Sequence, residues 1–343
     1  MNVLVFGGTV FLGRHVVDAL LVRGHTVSLF NRGRARPELF AGVEQLRGER
    51  DGKLDALASA VRAGRRWDAV IDCCGFVPRV VRQSAELLRD ATDRYLFVSS
   101  ISVYADFSNP GTTEDDPVAQ LADPASEDVP RDYGALKAAC EREVSAIYGT
   151  RAINVRPGLI VGPWDPTGRF TYWVARAAQG GDMLVPGPPE AIVQVIDARD
   201  LAAWMVHVSE TRAAGVFNGT GPVGATVNFG QFVQTCIAAG DAGTNPIWVD
   251  GAFLLEHKVA PWTELPVWLP PEDGGLFSVD FQRAADAGLV TRAMSDTVRD
   301  TLAWRTQTPD AVRNERTPSA GISREREAEL LAAWHGRNRT PAR

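Results

Sequence analysis

Two hydrophobic rhythms alternate through the first half of this chain, and that alternation restricts the fold more than any other feature. Short apolar runs rich in Val, Leu and Ile recur at Asn2–Phe6, Thr26–Phe30, Val43–Arg47, Ala69–Asp72, Tyr95–Ser99 and Ala152–Arg156. Amphipathic stretches separate them, at Leu12–Arg23, Leu54–Ala63, Pro78–Asp90 and Arg131–Tyr148. Runs of that kind fit strands buried on both faces, and the segments between them fit covering helices. The sequence therefore predicts an α/β fold built on a doubly wound parallel sheet. After Gly158 the pattern loosens, and Pro163, Pro166, Pro186, Pro188 and Pro189 punctuate it. The predicted division is a sheet domain over 1–158, with returning elements near 192–210, and a smaller substrate lobe over 159–343. Thr306–Gly321 reads as a surface connection. Ser323 then caps a terminal helix whose Leu330, Leu331 and Trp334 form a short apolar stripe.

The first apolar run leads straight into Gly7-Gly8-Thr9-Val10-Phe11-Leu12-Gly13. Glycines there let the backbone turn tightly and approach a pyrophosphate, which then sits at a helix N-terminus. Gly7, Gly8 and Gly13 suit that task, although a glycine turn that binds nothing would use the same residues. At the end of the second strand a carboxylate would hold ribose hydroxyls. This chain has Asn31 and Arg32 instead, with Arg34 and Arg36 close behind. Losing the carboxylate removes its repulsion of a 2′-phosphate, and a guanidinium binds phosphate through paired hydrogen bonds. The expected cofactor is NADP, with NAD as the alternative; a solvated basic loop is the plainer account of the same arginines.

Tyr133 and Lys137 lie four residues apart in Y-G-A-L-K, so a helix carries them on one face about one turn apart. Tyrosine is a poor base at neutral pH, its unperturbed pKa being roughly 10. An ammonium nearby favours the phenolate, and such a pair can pass a proton to or from a substrate oxygen. The spacing alone is common by chance. Its weight comes from the order of three signals: the glycine turn, an apolar strand ending in Ser99-Ser100, then this pair.

Those signals together resemble a short-chain dehydrogenase/reductase of the extended or atypical type, an NAD-dependent epimerase/dehydratase-like protein, over roughly Met1 to Glu210. The resemblance implies a Rossmann-type domain. It implies that Ser100 holds the substrate oxygen beside Tyr133, with Lys137 on the nicotinamide ribose. Ser99 and Ser102 are weaker holders of that role; Ser99 is carried as a cofactor contact and Ser102 as a substrate contact. Glu49 falls where an acid accepts a hydrogen bond from the adenine amine, with Arg50 beside it. Gly75 and Phe76 correspond to backbone running past the adenosine, and Cys74 precedes them on a strand end that approaches the cofactor. Pro157 and Gly158 fall beside the nicotinamide. Val10 replaces the middle glycine of the usual turn, a departure shared with atypical members.

The resemblance also separates activities. Dehydratases of this type carry an Asp-Glu pair directly after the catalytic hydroxyl, and here those positions are Ile101 and Ser102. Epimerases often carry an Asn near Gly158. The leading expectation is an NADP-dependent oxidoreductase acting on the carbonyl or alcohol of a small organic substrate. Epimerisation with a retained cofactor is the enzymatic alternative. A binding-only role is the other class, because the G-G-T-x-F-L-G turn also resembles chloroplast stem-loop-binding proteins associated with RNA. Trp164, Phe170, Tyr172 and Trp173 are candidates to line an apolar substrate pocket, or else simply pack the second lobe.

With 343 residues, 45% of them hydrophobic, the chain can bury a substantial core. A net charge of −6 and a pI near 5.5 offer no electrostatic case for nucleic acid. No apolar run has the length of a membrane span and the first strand begins at Asn2, so the expected location is cytoplasmic. Cys73, Cys74, Cys140 and Cys236 show neither zinc spacing nor C-x-x-C and read as reduced, buried thiols. His15, His25, His207, His257 and His335 are scattered, and no metal site is expected. A homodimer is left open as the assembly.

Overall fold

The computed structural model describes residues 1–309 and 320–339. It divides into two compact units. The first comprises Met1–Ile160, Ile196–Val223 and Val279–Thr291; the second comprises Val161–Val195, Gly224–Ser278 and Arg292–Arg343.

The first unit opens with β1 (Asn2–Phe6), α1 (Leu12–Val22), β2 (Thr26–Asn31), β3 (Glu44–Arg47), α2 (Asp55–Arg62) and β4 (Ala69–Asp72). It continues through α3 (Pro78–Leu88), β5 (Tyr95–Val98), a 3-10 turn at Ile101–Val103, α4 (Val129–Tyr148) and β6 (Ala152–Pro157). The chain leaves it along β7 (Leu159–Val161) for the second unit's α5 (Arg169–Ala177) and β8 (Gly181–Pro186). It returns at β9 (Val195–Asp197) for α6 (Ala198–Glu210) and β10 (Gly215–Gly219). The second unit resumes with α7 (Phe229–Gly240), β11 (Thr244–Val249) and α8 (Gly251–Glu256), and α9 (Gln282–Asp286) then belongs to the first. The helices α10 (Met294–Gln307) and α11 (Arg324–Arg339) close the second unit.

Seven parallel strands form the central sheet in the order β10-β6-β5-β4-β1-β2-β3. This is the predicted doubly wound Rossmann-type arrangement, with the order reversing between β1 and β4. Every residue of β4, β5 and β6 is buried. That explains their uninterrupted apolar reading, because helices cover both faces. On one face Val16, Val17 and Leu20 of α1 meet Leu201 and Met205 of α6. On the other, Leu57, Val81, Leu88 and Val144 come from α2, α3 and α4. The strand β10 is not predicted by the sequence: its run G-V-F-N-G is short, glycine-bounded and remote from the other strands.

Within the second unit, Phe170 stacks on Phe232 at 5.1 Å and Trp173 meets Phe229 edge-on at 5.2 Å. The strands β8 and β11 pair in parallel. Ser323 Oγ accepts from the Arg326 amide at 3.2 Å, capping α11. Leu330 and Leu331 are buried there, and Trp334 meets Phe253 edge-on. The connection predicted over Thr306–Gly321 starts too early, since α10 runs to Gln307; residues 310–319 lie outside the described residues. Among the described residues no helix is long and apolar enough to cross a membrane.

Candidate active site

The turn after β1 is built from close approach. Gly7 and Gly8 hold φ of 96° and 94°, a region that penalises a side chain. A Cβ on Gly13 would stand 2.7 Å from the Gly8 amide nitrogen, so helix and turn can meet only through glycine. The result is a tight backbone cradle at the N-terminus of α1. Thr9 and Leu12 are buried in it, while Val10 stays 40% exposed despite being apolar. Cys73 and Cys74, at the end of β4, lie against Gly7. Burial pushes the Cys74 thiol up to about 11 and the Cys73 thiol well above the ordinary cysteine value, so both remain protonated at neutral pH. No His, Cys, Asp or Glu group able to hold a metal occurs among the described residues.

At the far end of β2, Asn31 Oδ1 accepts from the Gly33 amide at 2.8 Å and from Arg47 Nη1. Arg32 faces Glu49 at 3.7 Å on the surface. Arg50, expected beside the adenine position, has its guanidinium engaged by other side chains of the first unit. Its guanidinium grips the Asp72 carboxylate through both oxygens, at 2.6 and 2.5 Å, and also donates to Ser84 and Tyr95. Asp72 is fully buried, and although burial opposes it, Arg50 holds the carboxyl below the usual range. The pair is structural. Asp72 Oδ1 accepts from the Cys74 amide at 3.1 Å and so shapes the Cys74-Gly75-Phe76 turn.

That turn reaches the second half of the site. Lys137 Nζ, with its side chain buried, donates to the carbonyls of Gly75 at 2.7 Å and Val98 at 2.5 Å. Burial lowers the Lys137 pKa to about 8. The Phe76 ring lies 5.0 Å from Nζ and 6.5 Å from the Tyr133 ring. Helix α4 starts on Asp128, whose carboxylate caps the Arg131 amide, and bends at Asp132 just before Tyr133. Gly134 presses onto the 3-10 turn so closely that a Cβ would collide with the Ser102 carbonyl oxygen. Ser100 caps that turn, accepting from the Ser102 amide at 3.1 Å and donating to Ser102 Oγ at 3.1 Å. The fold thus brings Ser100, Ser102, Tyr133, Lys137 and Phe76 together.

Two more groups complete this end of the sheet. The hydroxyls of Ser99 and Thr220 are buried with no hydrogen-bond partner among the described residues. Thr220 follows β10 and packs so tightly on Gly158 that a Cβ there would strike its Oγ1. Pro157 is buried beside it at the end of β6. The glycine turn at the N-terminus of α1, where a Cβ on Gly8 or Gly13 would collide with its neighbours, fits the pyrophosphate of a bound dinucleotide. Thr220 was not legible in the sequence because β10 was not.

The aromatic residues after Gly158 divide differently from the pocket expectation. Phe170 and Trp173 are fully buried, and Trp173 Nε1 donates to the Pro266 carbonyl at 2.7 Å. They are core residues of the second unit. Trp164 pairs with Trp304 at 5.6 Å, and Tyr172 with Trp173 at 5.0 Å.

Residues 3–220 match the NAD dependent epimerase/dehydratase family. The chain belongs to that family. Among relatives, the chloroplast stem-loop binding protein of 41 kDa b from Arabidopsis thaliana is 26% identical over 257 residues, 70% of this chain. The 2′-dehydrokanamycin reductase of Streptomyces kanamyceticus is 32% identical over 227 residues, 63% of this chain. The matches span 63% and 60% of those proteins' own lengths. The structure of UDP-N-acetylglucosamine 4-epimerase from Bacillus cereus superposes with a TM-score of 0.65 at 16% identity, covering 90% of this chain and 98% of that one. UDP-glucuronic acid 4-epimerase from Bacillus cereus, in complex with NAD, gives 0.63 at 16% identity, covering 90% and 99%. At those identities the epimerase/dehydratase likeness is one of fold.

Proposed function

We propose that this member of the epimerase/dehydratase family is an NADP-dependent oxidoreductase that reduces a carbonyl, or oxidises the matching alcohol, of a small organic substrate. The packing of Gly134 on the Ser102 carbonyl carries the reading, because it sets the Tyr133 helix against the Ser100–Ser102 hydroxyl pair. NADP, when bound, supplies or accepts the hydride. Ser100 turns its hydroxyl from Ser102 to the substrate oxygen, and Tyr133 gives that oxygen its proton during reduction. Lys137 spends two of its three donors on carbonyls, leaving one for the cofactor's ribose. Its positive charge favours the Tyr133 phenolate. Ile101 and Ser102 offer no carboxyl to expel water, which argues against dehydration. The reductase at 32% identity supports reduction over epimerisation.

Consumption of NADPH should be followed with aliphatic, aromatic and ring ketones, 2′-dehydrokanamycin, and nucleotide sugars. Tyr133→Phe should suppress turnover by at least about a hundredfold, the low end for a lost acid/base group. Cofactor affinity should change by less than about twofold, because only the hydroxyl is removed and the binding cradle is untouched. A normal rate in that variant would overturn the acid/base role of Tyr133. Interconversion of a nucleotide sugar without net NADPH consumption would replace reduction with epimerisation.

A further inference from the structure

We infer that Arg47 is the residue that selects a 2′-phosphorylated cofactor, and that position 33 is glycine so that its guanidinium can lie there; this rests on the NADP reading above. Edge strand β3 places Arg47 directly opposite Asn31 in register. Arg47 Nη1 donates to Asn31 Oδ1, the oxygen that also takes the Gly33 amide. Its Nη1, Cζ and Nε lie 3.0, 3.1 and 3.2 Å from where a Cβ on Gly33 would stand. Three nearly equal distances mean that the planar group lies flat on the glycine. Gly33 also holds φ of 68°. The guanidinium is thereby set before any ligand arrives, with donors beyond the one used on Asn31.

Arg32, which the sequence alone singles out, is placed less well. It faces Glu49 at 3.7 Å, and Glu49 also faces Lys53 at 3.8 Å, so an approaching phosphate meets a carboxylate. No carboxylate pairs with Arg47 among the described residues. More positive charge lies near this end of β2. Arg14, just after Gly13, lies within electrostatic reach of Arg36 in the β2–β3 loop. A 2′-phosphate carries between about one and two negative charges at neutral pH and accepts the paired donors of an arginine fork. A 2′-hydroxyl offers one neutral oxygen and gains far less.

The test uses 2′,5′-ADP and 5′-AMP, which differ only in that phosphate and require neither nicotinamide nor substrate. Calorimetric titration of the full chain should show tighter binding of 2′,5′-ADP. Arg47→Met should weaken it at least about tenfold while leaving 5′-AMP within about twofold, the pattern of a lost charge-assisted pair. Asn31→Asp should act in the same direction, since the new carboxylate takes the guanidinium and repels phosphate. If the wild type favours 2′,5′-ADP but Arg47→Met retains that preference while Arg32→Ala abolishes it, the assignment to Arg47 fails and the NADP reading stands. If the wild type binds both alike, the NADP reading falls and the assignment falls with it.

Discussion

Arg47 and Arg50 stand three residues apart, and their surroundings give them opposite work. Arg47 is exposed on the sheet edge, whereas the Arg50 side chain is 10% exposed and its Asp72 partner fully buried. Removing one member of a buried pair leaves the other's charge uncompensated, which costs about 3–5 kcal/mol. Asp72→Asn should therefore lower the stability of the first unit by about that much in urea unfolding. The double replacement Arg50→Met with Asp72→Leu should cost distinctly less, because it strands no charge. Equal losses from the single and double variants would mean that packing, not charge, dominates there. Neither residue could be assigned this role from the sequence. Asp72 reads as an ordinary strand end, and Arg50 lies beside a position that resemblance gives to adenine.

At the scale of elements, α4 and the Ser100–Ser102 turn are set by a glycine. Helix propensity makes Gly134→Ala stabilising by about 1 kcal/mol. Contact with the Ser102 carbonyl makes it destabilising, since overpacking costs about 1–3 kcal/mol. The contact should win. Gly134→Ala should lower the unfolding free energy and reduce turnover at least about tenfold, as a displacement near 1 Å does to aligned groups. Cofactor affinity should change little, because Lys137 keeps its two carbonyls. A stabilised variant with full turnover would mean that the helix can shift without cost, removing the observation that carries the proposed mechanism. The helix itself was legible from its apolar spacing; the reason for its glycine was not.

For the molecule as a whole, parts distant in sequence finish each unit. The sheet is completed by β10, and in the second unit a buried ion pair ties α11 to α5. Arg176 Nε meets Glu327 at 2.8 Å, and Glu327 Oε1 also accepts from the Leu184 amide at 3.0 Å. The carboxylate thus serves a helix and a strand together. Glu327→Ala leaves the Arg176 charge buried and the Leu184 amide unpaired, so the second unit should lose about 3–5 kcal/mol. Tryptophan fluorescence during urea unfolding would report it through Trp173 and Trp248. An unchanged midpoint would show that α11 contributes little to that unit.

The sequence by itself determined the α/β class, the first six strands to within about a residue, the glycine turn, and the order of Ser100, Tyr133 and Lys137. Those features rest on local periodicity and on chemistry carried by nearby residues, and such signals survive in one dimension. Only the tertiary structure decided that Arg50 is a buried partner of Asp72, that Phe170 and Trp173 are core, that Thr220 packs on Gly158 and that Arg47 meets Asn31. Each of those depends on what a side chain meets across the sheet or from a returning segment. Sequence spacing carries no record of that meeting.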